Sequence, residues 1–95
     1  MIHVCISPQR VLIAGHANYA AFGQDIVCAG ISALALVLEE SFADDRFGRA
    51  DVTEKSGLLV IEIHELSEEG RAVIEVVRGA AERIAQNYPE HVCVD

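Results

Sequence analysis

The chain changes its hydrophobic spacing in a fixed order, and this order restricts the fold more than any single motif does. In residues 1–7 apolar side chains occupy every second position, as in a strand with one buried face. The turn signal Pro8-Gln9 separates this stretch from the β-rich residues 10–16, and we expect the two to pair as a hairpin. A helix is expected to follow over residues 25–41.

The second half of the chain has the same order of elements. Residues 49–54 and 58–64 predict a second hairpin, with Gly57 in its turn as a candidate for positive φ. Ser67 should cap a second helix whose apolar residues recur at spacings of three and four, and residues 91–94 predict a final strand. The order ββαββαβ predicts an α+β fold in which two helices pack on one face of a mostly antiparallel sheet.

Composition limits the size and the partners of the protein. We expect a single domain over residues 1–95, since 52% of the residues are hydrophobic and can form one core. The net charge of −8 argues against direct nucleic-acid binding, which requires a cationic surface. The apolar run 26–38 is shorter than a membrane span and predicts a buried helix, so no membrane partner is expected.

The three cysteines indicate the cellular compartment. They show no Cys-x-x-Cys spacing and follow no secretion signal, which favours the reducing environment of the cytoplasm. Cys5 and Cys93 alternate with apolar residues in predicted strands, and we expect both to be small buried hydrophobic residues.

One segment, residues 15–32, concentrates the reactive side chains. His16 should lie at the exit of the second strand, and Cys28 should lie in the first turn of the helix. A helix N-terminus carries partial positive charge that favours a thiolate, and an imidazole within reach can protonate a leaving amine. First-turn N–H groups, that of Cys28 included, are candidates to stabilise an oxyanion. The segment therefore predicts a cysteine nucleophile with a histidine base.

Other residues of this segment have two interpretations each. Asp25 either orients His16 or only caps the helix by accepting from the N–H groups of residues 27 and 28. Ser32 follows Cys28 by one helical turn and bonds either near the sulfur or to its own helix backbone. The loop residues either contact an extended substrate or pack the loop onto the core, and the candidate substrate contacts are Ala17, Tyr19, Phe22 and Gly23.

These residues closely resemble the bacterial ribosomal-processing cysteine protease family, Prp. The resemblance rests on Gly15-His16-Ala17, Gly23-Gln24-Asp25-Ile26-Val27-Cys28-Ala29 and Ser32-Ala33-Leu34, and Tyr19-Ala20 is also similar to the family's loop. It implies a cysteine endopeptidase without a cofactor, in which Cys28 is the nucleophile and His16 its partner. Asp25 and Ser32 would be supporting positions.

The resemblance also implies a substrate and an assembly. The family removes an N-terminal extension from a large-subunit ribosomal protein, the twenty-seventh in the bacterial numbering. The cut peptide is extended, carries an aromatic residue near the cleavage site and is joined to a very basic protein, which the acidic charge of this chain suits. A cytoplasmic homodimer and a loop that orders over the substrate are implied as well.

Two other functions are compatible with the residues alone. Four histidines and three cysteines could supply metal ligands, for instance His16 and Cys28 with His3 or His64, although the paired short spacings of structural zinc sites are missing from the sequence. The chain could instead be a non-catalytic binding module for ribosome assembly, with Cys28 as a buried helix residue.

Overall fold

The computed structural model describes residues 1–21 and 25–95, and within them it confirms the predicted order ββαββαβ. The elements begin and end close to their predicted positions because the hydrophobic spacing and the caps agree with each other locally. They are β1 (Ile2–Ile6), β2 (Arg10–Gly15), α1 (Ile26–Phe42), β3 (Gly48–Lys55), β4 (Leu58–Leu66), α2 (Glu68–Asn87) and β5 (Val92–Val94).

The strands form one mostly antiparallel sheet in the order β3-β4-β2-β1-β5. The two hairpins are joined side by side, since β2 pairs with β4 in an antiparallel register that places Ala14 opposite Leu58. β5, which follows α2, pairs in parallel with β1, whereas the other strand pairings among the described residues are antiparallel. This arrangement places the β3–β4 turn beside the end of β2.

The core lies between one face of the sheet and the two helices. The buried strand residues Val4, Val11 and Ile61 point to this face, and Leu38 of α1 and Ile74 of α2 cover it. Full burial of each such side chain stabilises the fold by about 1.5–3 kcal/mol. The confirmed α+β architecture therefore follows from one continuous apolar face.

The prediction that the apolar run of α1 is wholly buried is wrong. Ile26 is 61% exposed and Leu36 is 63% exposed, while Leu38 is fully buried. A helix that packs on a sheet buries one side only, and a run of apolar residues does not indicate which side has neighbours. Neither helix in residues 1–21 and 25–95 has the length and apolar content needed to cross a bilayer.

The prediction that Cys5 and Cys93 are buried hydrophobic residues is also wrong. Both are half-buried, because they alternate with Val4 and Val92 and so point away from the core. The Cys5 thiol donates to Oδ2 of Asp95 at 3.3 Å, and this hydrogen bond, together with burial, raises the pKa of Cys5.

Candidate active site

The start of α1 positions Cys28. Asp25 has an extended backbone, and its Oδ1 atom accepts a hydrogen bond from the Cys28 N–H at 2.8 Å, which confirms the predicted cap. Cys28 thus lies in the first helical turn, half-buried, and packs against the core. The positive end of the helix dipole therefore faces the region that holds the thiol.

Asp25 also ties the preceding loop to the helix. Its Oδ2 atom accepts from the N–H groups of Tyr19 at 3.0 Å and Ala20 at 3.4 Å. The hydrogen bond from the Cys28 N–H is the main cause that holds the pKa of Asp25 below its ordinary value, and the loop N–H groups add to it. Both carboxylate oxygens are thus engaged by main-chain donors.

The same contacts correct one expectation about the oxyanion. The Cys28 N–H is already donated to Asp25, and the Ala29 N–H is donated to the Asp25 carbonyl at 3.0 Å. An N–H that completes a cap or a helix bond is not available to a substrate oxygen. The Cys28 N–H is therefore committed to the cap, and the partial positive charge of the helix end is the feature of α1 that could still stabilise an oxyanion.

His16 follows β2 directly, as predicted, and its side chain is exposed. Its main chain is held on both sides: the Gly15 N–H donates to the Gly57 carbonyl at 2.8 Å, and the Met1 nitrogen donates to the His16 carbonyl at 2.7 Å. The Nε2 end of the imidazole lies on the side of Gly57 where a side chain would begin. The strand exit and the β3–β4 turn together therefore set the position of the ring.

His16 and Cys28 line one open groove of about 430 Å³ between α1 and the β3–β4 turn. Ser32, which the helix places one turn beyond Cys28, lines it as well. The other polar groups of the groove are Glu39, Glu54, Lys55 and Ser56, and the sequence did not indicate the last three. The signal that could have found them is the antiparallel pairing of β2 with β4, which brings the turn to the end of β2.

Glu39 and Glu54 form a carboxyl pair in this groove. Burial is the main cause that raises the pKa of Glu39, and its hydrogen bond to Glu54 raises it further. This part of the groove therefore carries negative charge that desolvation makes unfavourable.

The loop residues predicted to contact substrate lie in different places. The Ala17 side chain is in the core, 1% exposed, and its carbonyl accepts from Nδ1 of His91 at 2.8 Å. The Tyr19 ring packs edge-on against Tyr88 and His91, with both centroids 5.3 Å away. The loop is thus anchored near the C-terminal end of α2, while Phe22 and Gly23 lie outside the described residues.

The part of the chain that the structure describes contains no cluster of side chains that could bind a metal ion. Within residues 1–21 and 25–95, no three His, Cys, Asp or Glu side chains come together in a way that could hold a metal ion. The arrangement of His16 and Cys28 in one open groove, with the thiol at a helix N-terminus, is instead that of a cysteine-dependent hydrolase.

Comparison with known proteins gives the family. The sequence model of the family described as cysteine protease Prp matches residues 1–93, and the chain therefore belongs to this family of cysteine proteases. No curated protein matches the chain significantly.

Solved structures share the fold over the whole chain. The essential ribosomal processing protease Prp from S. aureus, with a covalently linked product peptide, superposes with a TM-score of 0.88 at 24% identity, covering 100% of this chain and 98% of that one. The SMU.848 protein of Streptococcus mutans superposes with a TM-score of 0.74 at 23% identity, covering 100% of this chain and 92% of that one. The S. aureus protease with a substrate peptide superposes with a TM-score of 0.72 at 18% identity, covering 99% of this chain and 95% of that one.

Proposed function

We propose that this cysteine protease is an endopeptidase that removes the N-terminal extension of a large-subunit ribosomal protein, the twenty-seventh in the bacterial numbering. The observation that carries the proposal is the groove that His16 and Cys28 share in a chain of the Prp family. The S. aureus relative, described as a ribosomal processing protease, has been solved with substrate and product peptides, which supports a peptide substrate here.

The proposed reaction uses Cys28 as nucleophile and His16 as acid and base. The thiolate attacks the scissile carbonyl carbon, and the positive end of α1 stabilises the oxyanion that forms. The C–N bond then breaks, and the leaving amine takes its proton from the His16 imidazolium. Water attacks the acyl-enzyme, His16 accepts the proton of that water, and the Cys28 thiolate leaves with the bonding electrons.

The groove supports a basic protein as the source of the peptide. Glu39 and Glu54 line it together with His16 and Cys28, and the whole chain has a net charge of −8. A negative groove attracts a cationic partner and speeds its association, most strongly at low salt. An extended N-terminal segment between α1 and the β3–β4 turn would bring its peptide bond to Cys28.

The proposed enzyme acts in the cytoplasm as a homodimer. The homodimer is supported by the apolar surface of α1, where Ile26, Leu36 and Val37 are between 47% and 63% exposed. Apolar surface of this kind is commonly covered by a partner. A sedimentation mass equal to one chain at micromolar concentration would contradict the dimer.

The decisive experiment is to incubate the protein with the ribosomal protein of the same organism and to determine the new N-terminus by mass spectrometry. Cys28→Ala should lower the cleavage rate by at least about a thousandfold, because the nucleophile is lost. Cys93→Ala is the matched control, since Cys93 lies on the other side of the sheet, and it should cleave at the wild-type rate.

Thiol reactivity separates the protease from a non-catalytic binding module. At about pH 6.5 iodoacetamide should modify Cys28 before Cys5 and Cys93, because only Cys28 lies at a helix N-terminus in a groove with an imidazole. Wild-type cleavage by Cys28→Ala, or equal modification of all three cysteines in a protein that does not cleave, would contradict the proposed function.

A further inference from the structure

The turn between β3 and β4 contacts the imidazole of His16 through a glycine. A β-carbon placed on Gly57 would lie 2.6 Å from Nε2 of His16, 3.1 Å from Cε1 and 3.3 Å from Cδ2. Ordinary contact with a β-carbon begins at 3.4 Å, so any side chain at this position would move the ring or the turn by roughly 0.8 Å. Three atoms of the His16 ring therefore occupy space that is open because residue 57 has no side chain.

Gly57 differs in this respect from the other glycines that have positive φ in residues 1–21 and 25–95. At Gly15 an added β-carbon would meet the Met1 carbonyl, and at Gly48 it would meet the Glu65 carbonyl. Those two glycines allow a neighbouring backbone to approach closely, so their role is structural. The atoms nearest to a β-carbon at Gly57 all belong to one side chain, that of His16.

The turn is the more rigid of the two contacting parts. Its backbone is fixed by the Gly15 N–H that donates to the Gly57 carbonyl and by the pairing of Leu58 with Ala14. The imidazole rotates about two side-chain bonds and is exposed. When the two parts collide, the ring is therefore the part that moves.

We propose that Gly57 is a positioning residue for His16, and that the β3–β4 turn restricts the imidazole to the orientation that serves Cys28. The inference rests on the proposed role of His16 in proton transfer. It assigns part of the active site to the second hairpin, which contributes no group that reacts. A displacement of the ring by about 1 Å is enough to lower turnover by about a hundredfold.

Two substitutions separate the contact with the ring from strain in the turn. Gly57→Ala adds a β-carbon at φ +71°, where an alanine is also strained, whereas Gly57→Asn adds the same β-carbon with a residue that tolerates this backbone. Gly79→Ala is the matched control, because a β-carbon at Gly79 has no neighbour within 4 Å among the described residues.

Turnover is measured with a synthetic peptide that spans the cleavage site of the ribosomal protein. Both Gly57 variants should lose about a hundredfold in kcat while KM changes by less than about twofold. Both should also change the pH profile of Cys28 alkylation, and in a His16→Ala background the substitution should no longer change that profile. Gly79→Ala should match the wild type in every measurement. A folded Gly57 variant with wild-type kcat and a wild-type alkylation profile would overturn the inference.

Nuclear magnetic resonance of the wild-type protein tests the contact even if the variants do not fold. The Gly57 Hα resonances should move as His16 titrates, and they should shift in His16→Ala because the ring current is lost. Gly57 resonances that change neither with pH nor in His16→Ala would overturn the inference. Failure of the wild-type protein to cleave the peptide contradicts the proposed function instead, since the resonances still report whether the ring lies on Gly57.

Discussion

The two halves of the molecule share the order hairpin then helix, but their helices begin differently. α2 is capped by Ser67, whose hydroxyl accepts from the Gly70 N–H at 3.0 Å and donates to the Arg46 carbonyl at 2.6 Å. Glu68 and Glu69 then place negative charge in its first turn. α1 has no acidic residue in its first turn beyond the capping Asp25, and Cys28 occupies that turn instead.

This difference shows how one local element serves two purposes. In α2 the two glutamates offset the partial positive charge of the helix end, which stabilises the fold. In α1 the capping Asp25 offsets part of that charge, and the first turn holds no further acidic residue, so the proposed nucleophile Cys28 lies close to the remaining positive charge. The halves also depend on each other, since the turn of the second hairpin supplies the surface against which His16 rests.

The largest contrast between the halves should come from the caps. Asp25→Ala should lower kcat/KM on the order of tenfold to a hundredfold, because Asp25 fixes both the start of α1 and the loop after His16. Ser67→Ala should lower the free energy of unfolding by about 1 kcal/mol and leave kcat unchanged. Cleavage kinetics and thermal unfolding of the two variants measure this contrast.

Asp25→Asn is the control that separates capping of α1 from the other roles of Asp25, which are its contacts to the loop and its negative charge. The amide oxygen can still accept from the Cys28 N–H, but the NH2 group that replaces Oδ2 cannot accept from the N–H groups of Tyr19 and Ala20. This variant should therefore keep the cap and recover only part of the activity that Asp25→Ala loses. Equal damage by the two substitutions would mean that the cap contributes little to activity, and that the loop contacts or the negative charge of Asp25 carry the effect.

Asp25→Asn also tests a pH dependence. Because hydrogen bonding lowers the pKa of Asp25 in the folded state, the ionised group stabilises the fold above its unfolded pKa of about 3.9. That stability is lost as the pH falls through the lower folded value. The wild-type protein should thus lose more stability than Asp25→Asn when thermal unfolding is followed from neutral pH down to about pH 2.

A smaller effect should follow from making α1 begin as α2 does. Ile26 is 61% exposed in the first turn, and Ile26→Glu should be more stable than Ile26→Gln by about 0.3–1 kcal/mol through the helix dipole. The same charge should slow alkylation of Cys28 by about two- to fivefold, since it disfavours the thiolate. Ile26→Gln controls for the lost apolar side chain. An equal rate of Cys28 alkylation in Ile26→Glu and Ile26→Gln would contradict the proposed electrostatic difference between the two helix ends.

The smallest effect concerns the carboxyl pair across the groove. Since burial raises the pKa of Glu39 in the folded state, stability falls as the pH rises from its unfolded pKa through the folded value. Glu39→Gln should therefore raise stability at pH 7 by no more than about 0.5 kcal/mol, with no gain near pH 4. Thermal unfolding at the two pH values measures this, with the exposed Glu82→Gln of α2 as control. An equal gain in stability at both pH values would mean that the effect of Glu39→Gln does not come from the ionisation of Glu39.

Local features of the site were accessible from the sequence. The cap at Asp25, the place of His16 after β2 and the positive φ of Gly57 all depend on interactions between near neighbours in the chain. The exposure of α1 was not accessible, because an apolar run does not show which of its sides has a neighbour. The outward direction of Cys5 needed the burial of the sheet face as a whole.

The sequence by itself determined the order of elements and the start of each helix, since hydrophobic spacing and capping act over a few residues. It also indicated His16 and Cys28 as the candidate reactive pair. Only the tertiary structure decided that β2 lies between β4 and β1, because strand pairing over long separations depends on packing of the whole sheet. From that pairing come the groove and the contact between Gly57 and His16. Residues 16 and 57 meet because β2 ends where β4 begins, which no short-range pattern encodes.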